Sequence, residues 1–280
     1  MPLIKKLLVG IDTSEHSRHA QAYAFWLARK VGATIIGLHV VDIVSIEGSF
    51  YHDISGSLGL EPYLDFSSKM REVLTARGKA VLEAFTESAR REQISAETVL
   101  DVGIVANQIC ERAKSADLAV IGHRGINERF STGLLGSTAE SVARKCPRPV
   151  FISPMTFREI TKPVVAYDGS ERAARAMRHA AEIANMLNIP LTVLTVARDP
   201  KLGERTLAEA RKFFENYTPE AEFKLLAGHA NEEIIKFLKE READLLFIGA
   251  YGHSRIIEMV LGSTTEYVLR NSPCPVFLSR

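Results

Sequence analysis

Apolar and polar positions along the 280-residue chain fall into two kinds of run. Short unbroken apolar stretches such as Leu118-Ala119-Val120-Ile121 lack the period of two of a strand with one wet face. They read as strands covered by helices on both sides. Between them, Ala, Leu and Ile recur at helical spacing among charged residues, with Ser or Asn at several starts. In the C-terminal part this predicts strands near 163–167, 191–196, 222–226, 245–249 and 275–278, and helices over 170–187, 203–217, 231–240 and 263–270. Strand and helix alternate, so the strands are expected to be parallel with right-handed crossovers. The expected class is α/β, an open doubly wound sheet of five parallel strands.

The pattern is written twice. Leu8-Val9-Gly10-Ile11-Asp12-Thr13-Ser14-Glu15 matches Val164-Val165-Ala166-Tyr167-Asp168-Gly169-Ser170-Glu171 at an offset of 156. Ala116-Asp117-Leu118 running into Gly122 matches Ala243-Asp244-Leu245 running into Gly249 at an offset of 127. Leu135-Gly136-Ser137-Thr138 and Leu261-Gly262-Ser263-Thr264 share the offset 126 with the closing Pro149-Val150-Phe151-Ile152-Ser153 and Pro275-Val276-Phe277-Leu278-Ser279. A repeat of this kind sets the fold: two tandem domains, 1–155 and 160–280, joined by a short linker. The first copy carries about 29 extra residues after Val41, in the segment 42–66, where Gly48, Gly56, Gly59 and Pro62 interleave with Phe50, Tyr51, Tyr63 and Phe66. It reads as a long loop, either a lid or partner arm, or a loop packed on the neighbouring domain.

Composition narrows the classes. Hydrophobic residues at 46% and charged residues at 25% are those of an ordinary globular protein. A net charge of +1 from 35 basic and 34 acidic side chains supplies no field toward nucleic acid or anionic lipid. The opening apolar run is too short for a signal peptide or membrane span, so the expected location is the cytoplasm and no membrane is involved. Cys110, Cys146 and Cys274 have no metal or disulfide spacing and read as inert thiols.

In doubly wound sheets ligands sit beyond the carboxyl ends of the strands, where the helices change face. In the second copy that end is Gly249-Ala250-Tyr251-Gly252, nine residues intervene, and Gly262-Ser263-Thr264 opens a helix: G-x2-G-x9-G-[ST]. Glycines let a phosphate approach backbone N–H groups, and a helix N-terminus already favours anions. Three charge-assisted hydrogen bonds at roughly 1.5–3 kcal/mol each reach the ~8 kcal/mol of micromolar binding. The first copy has Gly122-His123-Arg124-Gly125, ten residues, then Gly136-Ser137-Thr138, with Gly133 placed to absorb the extra residue. Asp12 and Asp168 close the first strands, either to accept from a ribose or base or to cap the Ser14 and Ser170 turns. That Asp persists while the next residue changes from Thr13 to Gly169 favours ligand contact. Walker and dinucleotide glycine patterns are missing.

In this order and twice over, these residues resemble the universal stress protein family in its tandem form, across essentially the whole chain. The resemblance implies an adenine nucleotide alpha-hydrolase-like fold. It implies ATP as ligand, with magnesium reached through the phosphates, adenine near the first two strand ends and the triphosphate on the glycine loop. Carried over by position, the second copy would use Asp168, Val196, Gly249, Gly252, Gly262, Ser263 and Thr264. The first would use Asp12, Val40, Gly122, Gly125, Gly136, Ser137 and Thr138, its ten-residue spacer departing from the family pattern. The resemblance also implies that the last strands pair: Val150, Phe151 and Ile152 against Val276, Phe277 and Leu278, an intrachain pseudo-dimer, with a homodimer of whole chains left open.

Catalysis is less well marked. His123 and Arg124 stand where the second copy has Ala250 and Tyr251, and His253 and Arg255 face Ile126 and Asn127, so no acid or base is shared. The expectation is a nucleotide-sensing stress-response regulator without a catalytic site. A slow ATP hydrolase working from one copy and a scaffold that binds nothing are the alternatives. His16 and His19 read as a solvated helix face rather than a metal site, His39 as a packed core residue, and Phe25 and Trp26 as core.

Overall fold

The computed structural model describes residues 4–42, 63–125, 135–215, 221–250 and 261–280. The strands of the first half are β1 (Lys6–Gly10), β2 (Thr34–Asp42), β3 (Ala96–Gly103), β4 (Leu118–Gly122) and β5 (Val150–Ser153). Those of the second are β6 (Pro163–Ala166), β7 (Leu191–Ala197), β8 (Ala221–Ala227), β9 (Leu245–Gly249) and β10 (Val276–Ser279). The helices are α1 (Glu15–Val31), α2 (Tyr63–Arg91), α3 (Val105–Ala113), α4 (Ser137–Lys145), α5 (Glu171–Leu187), α6 (Pro200–Phe214), α7 (Ala230–Glu240) and α8 (Ser263–Asn271).

All ten strands form one sheet in the order β3-β2-β1-β4-β5-β10-β9-β6-β7-β8. Within each half the pairing is parallel. At the centre β5 and β10 run antiparallel, Val150 against Leu278, Phe151 against Phe277 and Ile152 against Val276. The edge that each five-stranded half would otherwise leave open is thus closed by the other. The sheet divides the core in two. One layer holds Trp26, Phe85, Phe151, Met177, Leu207, Phe247 and Phe277 under α1, α2, α5 and α6. The other holds Leu8, Ile109, Val142, Leu238, Val268 and Leu278 under α3, α4, α7 and α8. Phe25 and Trp26 are buried as expected.

Asp117 and Asp244, in the repeated Ala-Asp-Leu, hold the sheet together. Asp117 Oδ2 accepts the backbone N–H groups of Lys5 and Lys6 at 2.8 and 3.0 Å. Asp244 accepts those of Thr161 and Lys162 at 2.7 and 2.8 Å. Each pins the start of the strand beside its own.

Two expectations need correction. Tyr63 and Phe66 are not loop residues: α2 begins at Tyr63 and runs for 29 residues, about twice the 15 of α6, so much of the first copy's extra length is helix. The rest of that segment, 43–62, lies outside the described residues. The sixth helix starts at Pro200 rather than 203, because Asp199 caps it through the N–H of Lys201 and Pro200 supplies its first turn. Among the described residues no helix is long and apolar enough to cross a membrane.

Candidate functional site

Both halves place a cavity at the carboxyl ends of their central strands, where the order reverses between β1 and β4, and between β6 and β9. The second-half cavity, ≈ 270 Å³, is lined by Asp168, Val196, Gly249, Gly262, Ser263 and Thr264 together with Tyr167, Leu194, Ile234 and Thr265. The first-half cavity, ≈ 590 Å³, is lined by Asp12, Val40, Gly122, Gly125, Gly136, Ser137 and Thr138, and also by His39, Arg77, Arg124, Glu140 and Arg270. Every residue carried over from the motifs therefore borders a cavity, except Gly252, which lies outside the described residues with Tyr251, His253 and Arg255.

The helices at these cavities differ from their neighbours in how they start. The side chains of Ser14 and Ser170 cap α1 and α5, accepting from Ser17 and Ala173 at 3.1 and 3.2 Å. In α4 and α8 the N-cap is Gly136 or Gly262, with no side chain to accept anything. The first intrahelical bonds are Glu140 to Gly136 and Glu266 to Gly262, both 2.9 Å. The N–H groups of Ser137, Thr138 and Ala139, and of Ser263, Thr264 and Thr265, are left without intrahelical acceptors. Each helix thus presents a positive dipole end at a cavity wall.

The aspartates brace the turns that follow them and border the cavities. Asp12 Oδ1 accepts the Ser14 N–H at 2.8 Å and Asp168 Oδ1 that of Ser170 at 2.9 Å, so each carboxylate braces the residue that caps the next helix. Both also line their cavities. One residue upstream, the chain is held in the same way in both halves. His39 Nδ1 donates to the Ile11 carbonyl at 2.7 Å, and Thr195 Oγ1 to the Tyr167 carbonyl at 3.0 Å. His39 is thus a half-buried residue of the cavity wall rather than of the packed core. Burial pushes the Tyr167 hydroxyl above its usual range, helped by Glu209 at 3.4 Å.

Gly122 and Gly249 have a further reason to be glycine. A β-carbon on Gly122 would lie 2.7 Å from His16 Cβ and 2.8 Å from its backbone carbon; on Gly249 it would lie 2.9 Å from the backbone of Arg172. These glycines let α1 and α5 lie directly on the sheet. The same approach corrects the reading of His16, which is 3% exposed and not on a solvated face. Gly125 meets Asp12 Oδ2 at 3.2 Å and Gly136 meets the Arg124 Cα at 3.0 Å, measured from the same hypothetical carbon. Among the described residues no group of His, Cys, Asp and Glu is arranged to hold a metal.

Arg77 and Arg270 lie outside the motifs, and Arg124 stands in the first glycine loop only as a residue the second copy lacks. Arg77 belongs to the helix that the second copy has in shortened form, and Arg270 comes from the other half of the chain. A further cleft of ≈ 530 Å³ adjoins the second cavity through Val196, Ala230, Ser263 and Thr264, and carries Arg198, whose Nη2 lies 2.9 Å from His229 Nδ1. His123, in the first glycine loop, also leaves its own half: Nε2 donates to the Leu269 carbonyl of α8 at 2.7 Å. Burial lowers its pKa, as do the charges of His16 and Arg124, against the opposing effect of that hydrogen bond.

A family model described as "Universal stress protein family" matches residues 3–154, 160–212 and 201–280. Universal stress protein Slr1230 of Synechocystis sp. is 31% identical over 288 residues, covering 99% of this chain and 100% of its own length. A universal stress protein of Mycolicibacterium smegmatis is 23% identical over 292 residues, 98% and 96% of the two chains. Among solved structures, a universal stress protein from Archaeoglobus fulgidus superposes with a TM-score of 0.75 at 25% identity, covering 100% of this chain and 97% of that one. A Pseudomonas aeruginosa protein described as functionally unknown shares the fold, with a TM-score of 0.69 at 19% identity over 99% and 92% of the chains.

Proposed function

Since the chain belongs to the universal stress protein family, we propose that it is an ATP-binding regulator that senses nucleotide in two tandem domains, 1–155 and 160–280, and has no catalytic site of its own. The observation that carries this reading is the pair of glycine-capped helix starts, each at the wall of a cavity that also holds an aspartate. A polyphosphate accepts from N–H groups and is favoured by the dipole; the apolar wall formed by Val40 and Leu38, or Val196 and Leu194, suits a base. The donor set fits the group: Ser137, Thr138, Ser263 and Thr264 would hold phosphates, and Asp12 and Asp168 would accept from the ribose or the base. Magnesium, where present, would be held through the phosphates and would neutralise part of their charge.

The two cavities differ in size and in charged lining, while Asp, Gly, Ser and Thr recur in both. The recurring set is a binding set, which supports a regulator that responds to occupancy over an enzyme. The pairing of β5 with β10 supports the reading of the chain as an intrachain pseudo-dimer. Cytoplasmic location belongs to the same proposal.

Calorimetry with ATP is the test. Gly262→Val and Ser263→Ala should each weaken binding, and unchanged affinity in both would remove the assigned cradle. Phosphate release from purified protein with ATP and magnesium should stay below ~1 per minute; enzymes turn over near ~10 per second, and rates of that order would favour a hydrolase.

A further inference from the structure

The last turn of α8 carries Arg270, which is among the residues that line the cavity of the other half. It arrives there because β5 and β10 pair antiparallel, which lays α8 beside α4. Its counterpart in the repeat, Arg144, pairs with Glu140 of its own helix and is not among the described residues that line the second cavity. Among the described lining residues, only the first cavity takes one from the other half.

Arg270 Nη2 is 2.7 Å from Glu266 Oε1 and 4.0 Å from Glu140 Oε2, while Nε is shut off from solvent and makes no hydrogen bond. A guanidinium offers five N–H donors, so one close carboxylate leaves capacity for another acceptor. Glu140 makes that capacity matter. It lies in the first turn of α4, beside the helix start that faces the cavity, where its carboxylate opposes an incoming phosphate. Arg144 binds one of its oxygens and Arg270 stands near the other, so the positive charge needed to admit an anion comes from both halves.

Building on the proposed nucleotide site, we infer that Arg270 is a phosphate-binding residue of the first-half cavity, reaching across the central strand pair to the tail of a nucleoside di- or triphosphate. Arg77 and Arg124 join it among the described residues that line this cavity. The same helix begins at Ser263 and Thr264 in the second cavity. A ligand in the first half is thus gripped by the helix that builds the site of the second.

The test uses full-length chain carrying Ser263→Asp, which keeps an acidic residue acceptable in a helix first turn but repels phosphate from the second cavity. Binding of ATP and ADP then reads the first, while adenosine, which has no phosphate to be repelled, reads both. Arg270→Gln should lower ATP and ADP affinity about tenfold or more, as loss of a charge-assisted hydrogen bond implies. Adenosine affinity should hold, and Arg270→Lys should recover part of the loss. Equal loss for adenosine and ATP would mean that Arg270 only supports the helix, and no loss would mean that it does not reach the ligand; either overturns the assignment. Adding Ser137→Asp to the same background should abolish ATP binding. If it does while Arg270→Gln has no effect, Arg270 alone is wrongly assigned; if ATP does not bind the wild-type chain, the proposed function falls and this inference with it.

Discussion

A β-carbon added to Gly249 would sit 2.9 Å from the carbonyl carbon of Arg172, and one on Gly122 would sit 2.8 Å from that of His16. Neither obstacle is a flexible side-chain end, so the helix must move off the sheet. Gly249→Ala is expected to cost about 1–3 kcal/mol of stability, in the range of overpacked cores, measured as a shift in the urea midpoint at constant slope. A loss of nucleotide affinity with no change in stability would mean that the glycine serves the ligand alone. The buried imidazoles give a second prediction at this scale. Burial lowers the pKa of both His123 and His179 from 6.5. On acidification the unfolded chain takes up protons first, so stability is full above pH 6.5 and is lost as pH falls through the lower folded-state values. The thermal midpoint should fall from about pH 7 to about pH 5, and His123→Gln with His179→Gln should flatten that slope. An unchanged slope in the double variant would place the acid sensitivity elsewhere.

At the scale of elements, the contrast between capped and uncapped helices separates stability from binding. Ser14→Ala and Ser170→Ala remove side chains that accept from Ser17 and Ala173, and each should cost about 1 kcal/mol; ATP affinity should change little for Ser14→Ala, whereas Ser170 itself lines the second cavity. Ser263→Ala removes no cap, since Gly262 holds that position, and should do the reverse. Calorimetry and denaturant midpoints on the three variants check both halves of the statement. The strands and the starts of α4 and α8 were legible in the sequence because Gly-Ser-Thr before a helical pattern has one local meaning. The start of α2 was not, because Pro and Gly ahead of it look like loop chemistry until a helix follows. The burial of His16 was also hidden: it depends on Gly122, which approaches only once α1 lies on β4. Asp117 and Asp244 were seen as part of a motif, but their job, holding the neighbouring strand's N–H groups, needs the strand order.

For the whole molecule, the central strand pair decides how the halves behave. Phe151 and Phe277 face each other across it, Tyr23 packs on Phe151 with ring centroids 5.1 Å apart, and Phe247 packs on Phe277 at 5.0 Å. Arg280 adds polar ties from β10 to the end of α4, donating to the carbonyls of Cys146 and Arg144 at 2.6 and 2.7 Å. The chain should therefore unfold in one cooperative transition, and Phe277→Ala, at a cost of about 3–5 kcal/mol, should destabilise both halves together. Two resolved calorimetric transitions in the wild type would show that the halves are independent. The family resemblance implied which strands pair, but not what the pairing brings together: His123 on Leu269 and Arg270 in the first cavity are contacts between distant parts of the chain with no local pattern. Whether the uncapped starts of α4 and α8 hold phosphate is decided by a crystal structure of the protein with ATP. Phosphate oxygens should lie about 2.7–3.2 Å from the backbone nitrogens of Ser137 and Thr138 or of Ser263 and Thr264; a nucleotide bound with its phosphates elsewhere, or both cavities empty at saturating ATP, would rule the phosphate cradle out.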